Sequence, residues 1–298
     1  MKDLVVQGPA LSAEALDTFK VVCAPERITV TGRSARCVGV PDDAETRKAV
    51  RGLGDYWKLD HAFVDPGWDL GQFRLLAIDM DSTLITIESL DELAAYAGKG
   101  EEVAAITEAA MRGEIADYRE SLRRRVAMLA GVDAGLLQRV YDEKLGLNEG
   151  AERLVAACRA AGLRTLLVTG GFSFFTERIR QRLGFDAARA NELGIDDGRL
   201  TGTVTGPAGG EIIDAEGKAQ AVRDECAAMA CATDRAIVVG DGANDLRMMA
   251  LAGISVAWRA KPIVRERATY VLSHAPLDGL LAWFTDPSVA TSHMPLQR

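Results

Sequence analysis

Residues 73–83 read FRLLAIDMDST. Phe73 and the unbroken run Leu75, Leu76, Ala77 and Ile78 are apolar, and they lead straight into Asp79 and Asp81, one residue apart. An apolar run without polar alternation predicts a strand buried on both faces of a parallel sheet. Open α/β sheets place their ligand sites at the carboxyl ends of such strands, which is where the two aspartates fall. Carboxylates this close repel each other unless a cation or a shared proton compensates. The stretch therefore predicts a divalent metal and chemistry.

Outward from it the chain alternates. Further strands are predicted at 164–168, 236–239, 254–257 and 270–272, with helices at 151–161, 173–183, 217–230 and 243–251. That rhythm predicts an α/β fold, a Rossmann-like doubly wound parallel sheet with helices on both faces. Asp197-Gly198 is a turn signal, so an antiparallel excursion is expected over 198–204. Between the first strand and residue 164 no strand is expected. Helical stretches at 90–97, 101–112, 118–129 and 134–144 predict a helical-bundle cap inserted at about 86–148, over the end of the first strand.

Residues 1–70 form a separate pattern: a strand at 4–7, a helix capped by Ser12 through 22, a hairpin of 27–31 and 35–40, a helix at 43–53 and a last strand at 57–64. The order βαββαβ is a ferredoxin-like layout and resembles an ACT-like domain, which implies a possible regulatory or homodimer-forming unit. Asp65-Pro66-Gly67 reads as a linker to the main unit over 71–285. A flexible tail is expected over 286–298.

Composition narrows the function. The chain has 298 residues, 48% hydrophobic, with 35 basic against 43 acidic side chains and a net charge of −8. Apart from Arg123-Arg124-Arg125 there is no polybasic run, so no nucleic-acid or membrane partner is expected. No apolar stretch has the length of a membrane span, and the first residues lack the pattern of a signal peptide, so the expectation is a cytoplasmic protein. The five cysteines are scattered and read as buried free thiols. Only three histidines occur, which argues against a Ser-His-Asp triad or a His-rich metal site.

Four elements fall in order along the sheet: Asp79-Met80-Asp81-Ser82-Thr83, then Thr169-Gly170-Gly171, then Lys218 at the opening of a helix, then Asp241-Gly242-Ala243-Asn244-Asp245. Together they closely resemble the haloacid-dehalogenase (HAD) superfamily. Within it, Glu88 in TIESLDELA, Met111, the SLRRRV block at 121–126, TGGF and VGDGANDLRMM resemble the phosphoserine phosphatase family over about residues 73–283.

The resemblance implies roles. Asp79 would be the nucleophile that forms an aspartyl phosphate, and Asp81 the general acid and base. Mg²⁺ would be held by the side chains of Asp79 and Asp241 and the backbone carbonyl of Asp81, a hard-oxygen set. Asp245 would stand behind them, orienting water or Lys218. Thr169 and Gly170, expected at a helix start, would bind phosphate together with Lys218. Glu88 would take the substrate ammonium and Arg125 its carboxylate, with Met111 and Tyr118 as pocket walls and Asn244 near the phosphate or substrate.

The reaction implied is hydrolysis of a small-molecule substrate, O-phospho-L-serine, to L-serine and phosphate, the last step of serine synthesis. The alternative within the superfamily is a phosphatase or phosphotransferase acting on another small phosphorylated amino acid, for example passing phosphate to homoserine. A non-catalytic amino-acid sensor would not need all the motifs intact, and a membrane pump would need spans that are absent.

Overall fold

The computed structural model describes residues 1–285. The tail expected over 286–298 lies outside them. The chain runs β1 (Lys2–Gln7), α1 (Ala13–Cys23), β2 (Arg27–Thr31), β3 (Ser34–Val40), α2 (Ala44–Trp57) and β4 (Asp60–Val64), then β5 (Leu75–Ile78). Helices α3 (Ser89–Tyr96), α4 (Gly100–Met111), α5 (Tyr118–Ala127) and α6 (Gly135–Glu143) follow directly. The chain returns through α7 (Ala151–Ala160), β6 (Arg164–Phe172), α8 (Ser173–Leu183), β7 (Ala187–Asp196), β8 (Arg199–Thr205) and α9 (Ala215–Ala228). It ends with β9 (Ala236–Gly240), α10 (Leu246–Met249), β10 (Ile254–Trp258), α11 (Pro262–Arg267) and β11 (Tyr270–Leu272).

The main sheet has seven strands in the order β11-β10-β9-β5-β6-β7-β8. Every pairing is parallel except β7 with β8. The apolar run of β5 is explained by its central place: Leu76 and Ile78 join one core, and Leu75 and Ala77 join the other on the opposite face. From β5 the chain winds outward through β6 and then crosses to β9 on the other side. The strand order therefore reverses at β5 and β9, and the crevice beyond their carboxyl ends is the switch point where ligands bind in such sheets.

Helices α3–α6 lie between β5 and α7, and the segments that enter and leave this cap meet. Ile85 bridges Leu147, and Thr86 N–H donates to Gly146 O at 2.9 Å. The β7–β8 hairpin supports the cap from the side. Gly131 N–H donates to Leu200 O at 2.8 Å, and the end of α5 lies so close to β8 that a Cβ at Gly202 would come within 3.4 Å of Ala127 Cα.

The first unit is a four-stranded antiparallel sheet in the order β2-β3-β1-β4, the ferredoxin-like arrangement. Ser12 and Asp43 cap its helices by accepting from Ala15 N–H and Thr46 N–H. One face, with Leu4, Val6 and Phe63, packs on α1 and α2. The other, with Val5, Ala62 and Val64, is part of the main core.

Several boundaries differ from expectation. Trp57 ends α2 rather than starting a strand, because Lys58 takes a left-handed φ of 56° that closes the helix. Strand β7 was not expected; its Arg189, Asn191 and Glu192 interrupt the apolar signal. Residues 243–251 split into a 3-10 turn, Ala243–Asp245, followed by the short α10. Helix α11 was also missed, since Pro262 hides a helix start where proline is well placed.

Candidate active site

Asp79 and Asp81 leave the end of β5 on a non-helical turn, with Asp81 at φ −63°, ψ 134° and Ser82 at φ 56°, ψ −8°. A left-handed serine is unusual and sharpens the turn. It lets Ser82 N–H donate to Ile87 O and Ile85 N–H to Met80 O, at 3.1 and 3.0 Å.

Asp79 is 4% exposed, and its Oδ1 accepts from Lys218 Nζ at 2.6 Å. Lys218, 1% exposed, also donates to Asp245 Oδ1 at 2.7 Å. The other Asp245 oxygen accepts from the N–H groups of Asp241 and Gly242, at 3.2 and 3.0 Å, so Asp245 ties the lysine to the loop after β9. Lys218 does not open its helix. Asp214 caps α9, and Lys218 N–H makes the first-turn bond to Asp214 O, which aims the side chain inward.

Asp241 Oδ1 accepts from the Thr83 hydroxyl at 3.0 Å. Asp79, Asp241 and Asp245 each offer an oxygen, all within 4.8 Å of one another. Three carboxyl groups thus crowd one ammonium. Burial, together with neighbouring Asp245, pushes both Asp79 and Asp241 up, Asp241 to about 6, while Lys218 pulls against the rise. The two neighbouring acids hold Lys218 well above the ordinary lysine value despite its burial. A donor set made only of carboxylate oxygens and short of positive charge fits a hard divalent cation.

Asp81 sits in different company. Its Oδ1 accepts from Ser89 N–H at 3.0 Å, and among the described residues no cation bonds it. Burial and the nearby Glu88 push its carboxyl up to about 7. The backbone of Gly171 passes so close that a Cβ there would lie 2.6 Å from Asp81 Oδ2.

Thr169 and Gly170 are not at a helix start. Strand β6 continues to Phe172 before α8 begins, with its pairing to β7 interrupted between Val168 and Phe172. The reason is Asn191, fully buried on β7. Its Nδ2 donates to Gly170 O at 2.8 Å while its Oδ1 accepts from Ile213 N–H at 2.7 Å. It locks the Thr169–Gly171 turn to the loop before α9, the helix that carries Lys218. Thr169 Oγ1 accepts from Gly171 N–H at 2.9 Å, so its own proton is free for a ligand.

One cleft of about 290 Å³ joins these groups to the cap; Asp79, Asp81, Thr169, Gly170, Asp241 and Asn244 line it on one side, and Glu88, Tyr118 and Arg125 on the other. Ser82 donates to Glu88 Oε1 at 2.7 Å. Of the three arginines only Arg125 reaches the cleft, whereas Arg124 pairs with Glu120 along the exposed face of α5. Tyr118 does wall it, with its hydroxyl against Gly170. Met111 does not: it ends α4 and is 79% exposed, on the solvent side of the cap. Sequence reasoning missed Asn191, Thr83 and also Lys261, which lines the cleft and donates its N–H to Asp241 O at 3.1 Å. The DST motif hinted at Thr83; no motif pointed to the other two. A cavity of similar volume at the opposite end of the sheet, beside Arg74 and Arg235, gathers no carboxylates.

Residues 76–250 match the family model of the haloacid dehalogenase-like hydrolases. A phosphoserine phosphatase from Polaromonas sp. is 54% identical over 216 residues, covering 72% of this chain and 92% of the relative. One from Archaeoglobus fulgidus is 41% identical over 243 residues, covering 82% and 69%. Among solved structures, an unliganded probable phosphoserine phosphatase from Vibrio cholerae superimposes with a TM-score of 0.81 at 33% identity, covering 97% of this chain and 87% of that one. A substrate-bound phosphoserine phosphatase superimposes at 0.65 and 32% identity over 72% of this chain and 99% of that one. Among the described residues no helix is long and apolar enough to cross a membrane.

Proposed function

The chain belongs to the haloacid dehalogenase-like hydrolases, in their phosphoserine phosphatase branch, and from that premise we propose that it hydrolyses O-phospho-L-serine to L-serine and phosphate. The observation that carries the proposal is the unequal company of two neighbouring carboxyls. Asp79 is bonded to an ammonium, while Asp81 is bonded to a backbone N–H with its pKa pushed up to about 7. Paired acids whose surroundings differ in this way divide into nucleophile and proton carrier.

Asp79 attacks phosphorus. Its oxygen–phosphorus bond forms as the bond from phosphorus to the seryl oxygen breaks, and Asp81 gives that oxygen its proton. Asp81 then takes a proton from water as the water attacks the aspartyl phosphate, releasing phosphate and restoring Asp79. Thr169, Gly170 and Lys218 hold the phosphoryl oxygens, Lys218 as a fixed charge and Thr169 through its free proton. Glu88 and Arg125 face them across the cleft, an acid for the ammonium and a planar bidentate donor for the carboxylate. Asn244 lines the phosphate end.

Mg²⁺ is the ion we assign, held by Asp79, Asp241 and the carbonyl of Asp81, with Asp245 behind them. When bound it supplies the positive charge these carboxylates lack and offsets charge on the transferring phosphoryl group. We read residues 1–70 as an ACT-like unit that could support a homodimer, and residues 71–285 as the catalytic unit with its cap at 86–148, in a cytoplasmic enzyme.

Phosphate release from a panel of phosphorylated metabolites, with and without Mg²⁺, tests this. Phosphoserine is expected to be the best substrate, with no turnover in chelator or in Asp79→Asn. Full activity in that variant overturns the mechanism, and a preference for sugar phosphates overturns the substrate. Adding homoserine as acceptor separates hydrolysis from phosphotransfer.

A further inference from the structure

We propose that Ser89 is a positioning residue whose backbone N–H, on the first turn of the cap, fixes Asp81 for proton transfer; this rests on Asp81 being the acid and base. Helix α3 starts without an ordinary cap. Its N-cap residue is Glu88, whose side chain makes no capping bond and instead accepts from the Ser82 hydroxyl at 2.7 Å. The first N–H of the helix, at Ser89, is therefore free of local partners, and it donates to Asp81 Oδ1 at 3.0 Å. The Ser89 hydroxyl is buried, 1% exposed, and completes no hydrogen bond among the described residues.

Two consecutive residues at the start of the cap thus grip two consecutive residues after β5, Glu88 on Ser82 and Ser89 on Asp81. The other Asp81 oxygen is hemmed in by Gly171, so rotation of the carboxyl is restricted from both sides. Because the donor belongs to α3 and the acceptor to the sheet edge, the acid is aligned only while the cap is seated. A tether of this kind aligns the proton with the leaving oxygen, and misplacement by an ångström costs far more in rate than in binding.

Proline provides the test. At the first position of a helix it is well tolerated and removes only the N–H. Glu88, at φ −91° and ψ 107°, already has the extended backbone required of a residue before proline. Values of kcat/KM, which report on steps up to the aspartyl phosphate, are compared for phosphoserine and for an aryl phosphate whose leaving group needs no proton. Ser89→Pro is expected to lose about 10- to 100-fold on phosphoserine and much less on the aryl ester. Ser89→Ala keeps the N–H and removes only the hydroxyl; a discrimination between the two substrates as large as the proline variant's would assign the effect to the hydroxyl and overturn the inference. Should the proline variant not fold, an ester in place of the 88–89 amide removes the same hydrogen without the ring. Equal losses on both substrates, in the proline or the ester variant, would mean that the bond merely caps α3 and would overturn the inference. Asp81→Asn is run alongside: if it does not discriminate between the leaving groups, the acid role itself fails, which is a different result from a discriminating Asp81→Asn beside a non-discriminating Ser89→Pro.

Discussion

At the scale of the residue, the acid–base role proposed for Asp81 opposes stability. Its folded pKa, about 7, lies above the ordinary 3.8, so folding favours the protonated form. Below pH 4 the carboxyl is neutral in both folded and unfolded chains and its effect vanishes. As pH rises from 4 to 7 the unfolded chain ionises first, and stability is progressively lost; above 7 the loss is complete and constant. Asp81→Asn keeps an oxygen for Ser89 N–H and cannot ionise. In chelator it is expected to melt higher than the unmodified protein at pH 8, by at most about 4 kcal/mol, with the advantage shrinking to nothing near pH 4. Thermal melts across that range check it; equal melting temperatures at pH 8 count against it. The sequence showed that Asp79 and Asp81 belong together, because spacing at a strand end is a local property. The family resemblance put Lys218 beside the nucleophile, where it bonds Asp79, but the spacing did not show that Asp81 would meet the Ser89 N–H, which the cap brings to it.

Elements place these residues, and their legibility followed how local their causes are. Strands β5, β9 and β10 were readable because both faces are buried and the apolar run is unbroken in β5 and β9 and interrupted only by Ser255 in β10. Strand β7 was not, because it is held by β6 on one side and β8 on the other while its apolar residues are mostly alanines interrupted by Arg189, Asn191 and Glu192. Its Asn191 is the instructive case: a buried asparagine that joins Gly170 O to Ile213 N–H across elements has no signal in its own segment. Asn191→Leu fills similar volume but strands both partners, which costs about 1–3 kcal/mol for each buried unsatisfied group. The expected result is a lower melting temperature together with a raised KM for phosphoserine, because Thr169 and Lys218 lose their common brace. A stability loss with unchanged KM would confine Asn191 to packing. Gly171→Ala probes the same turn from the other side. Its methyl group would displace Asp81, so kcat should fall at least about tenfold while stability changes little.

For the whole molecule the question is whether the first unit is an appended module or part of one structure. Val5, Ala62 and Val64 belong to the same core as Leu76 and Ile78. Three polar side chains help to fix the join. The Asp60 carboxylate, 5% exposed, accepts from the N–H groups of Ser273, His274 and Ala275 at 2.8, 2.9 and 2.7 Å. Tyr270 donates to Phe63 O at 2.9 Å, and Arg36 donates to the carbonyls of Ala282 and Trp283 at 2.9 and 2.7 Å. A carboxylate surrounded by three N–H groups has no tolerance for a donor. Asp60→Asn sets an NH₂ against them and should cost about 2–3 kcal/mol, since hydrogen bonds to charged groups are worth that much. For a chain of this size that is roughly 5–10 °C in Tm. If the two sheets form one cooperative structure, calorimetry should show a single transition that moves as a whole, and loss of phosphatase activity on heating should move with it. Kinetic constants at 25 °C should stay as they were, because Asp60 and the strand ends it holds lie outside the catalytic cleft. Two separate transitions, with only the one not coupled to activity shifting, would mean that the ferredoxin-like unit is carried by the catalytic core and does not brace it.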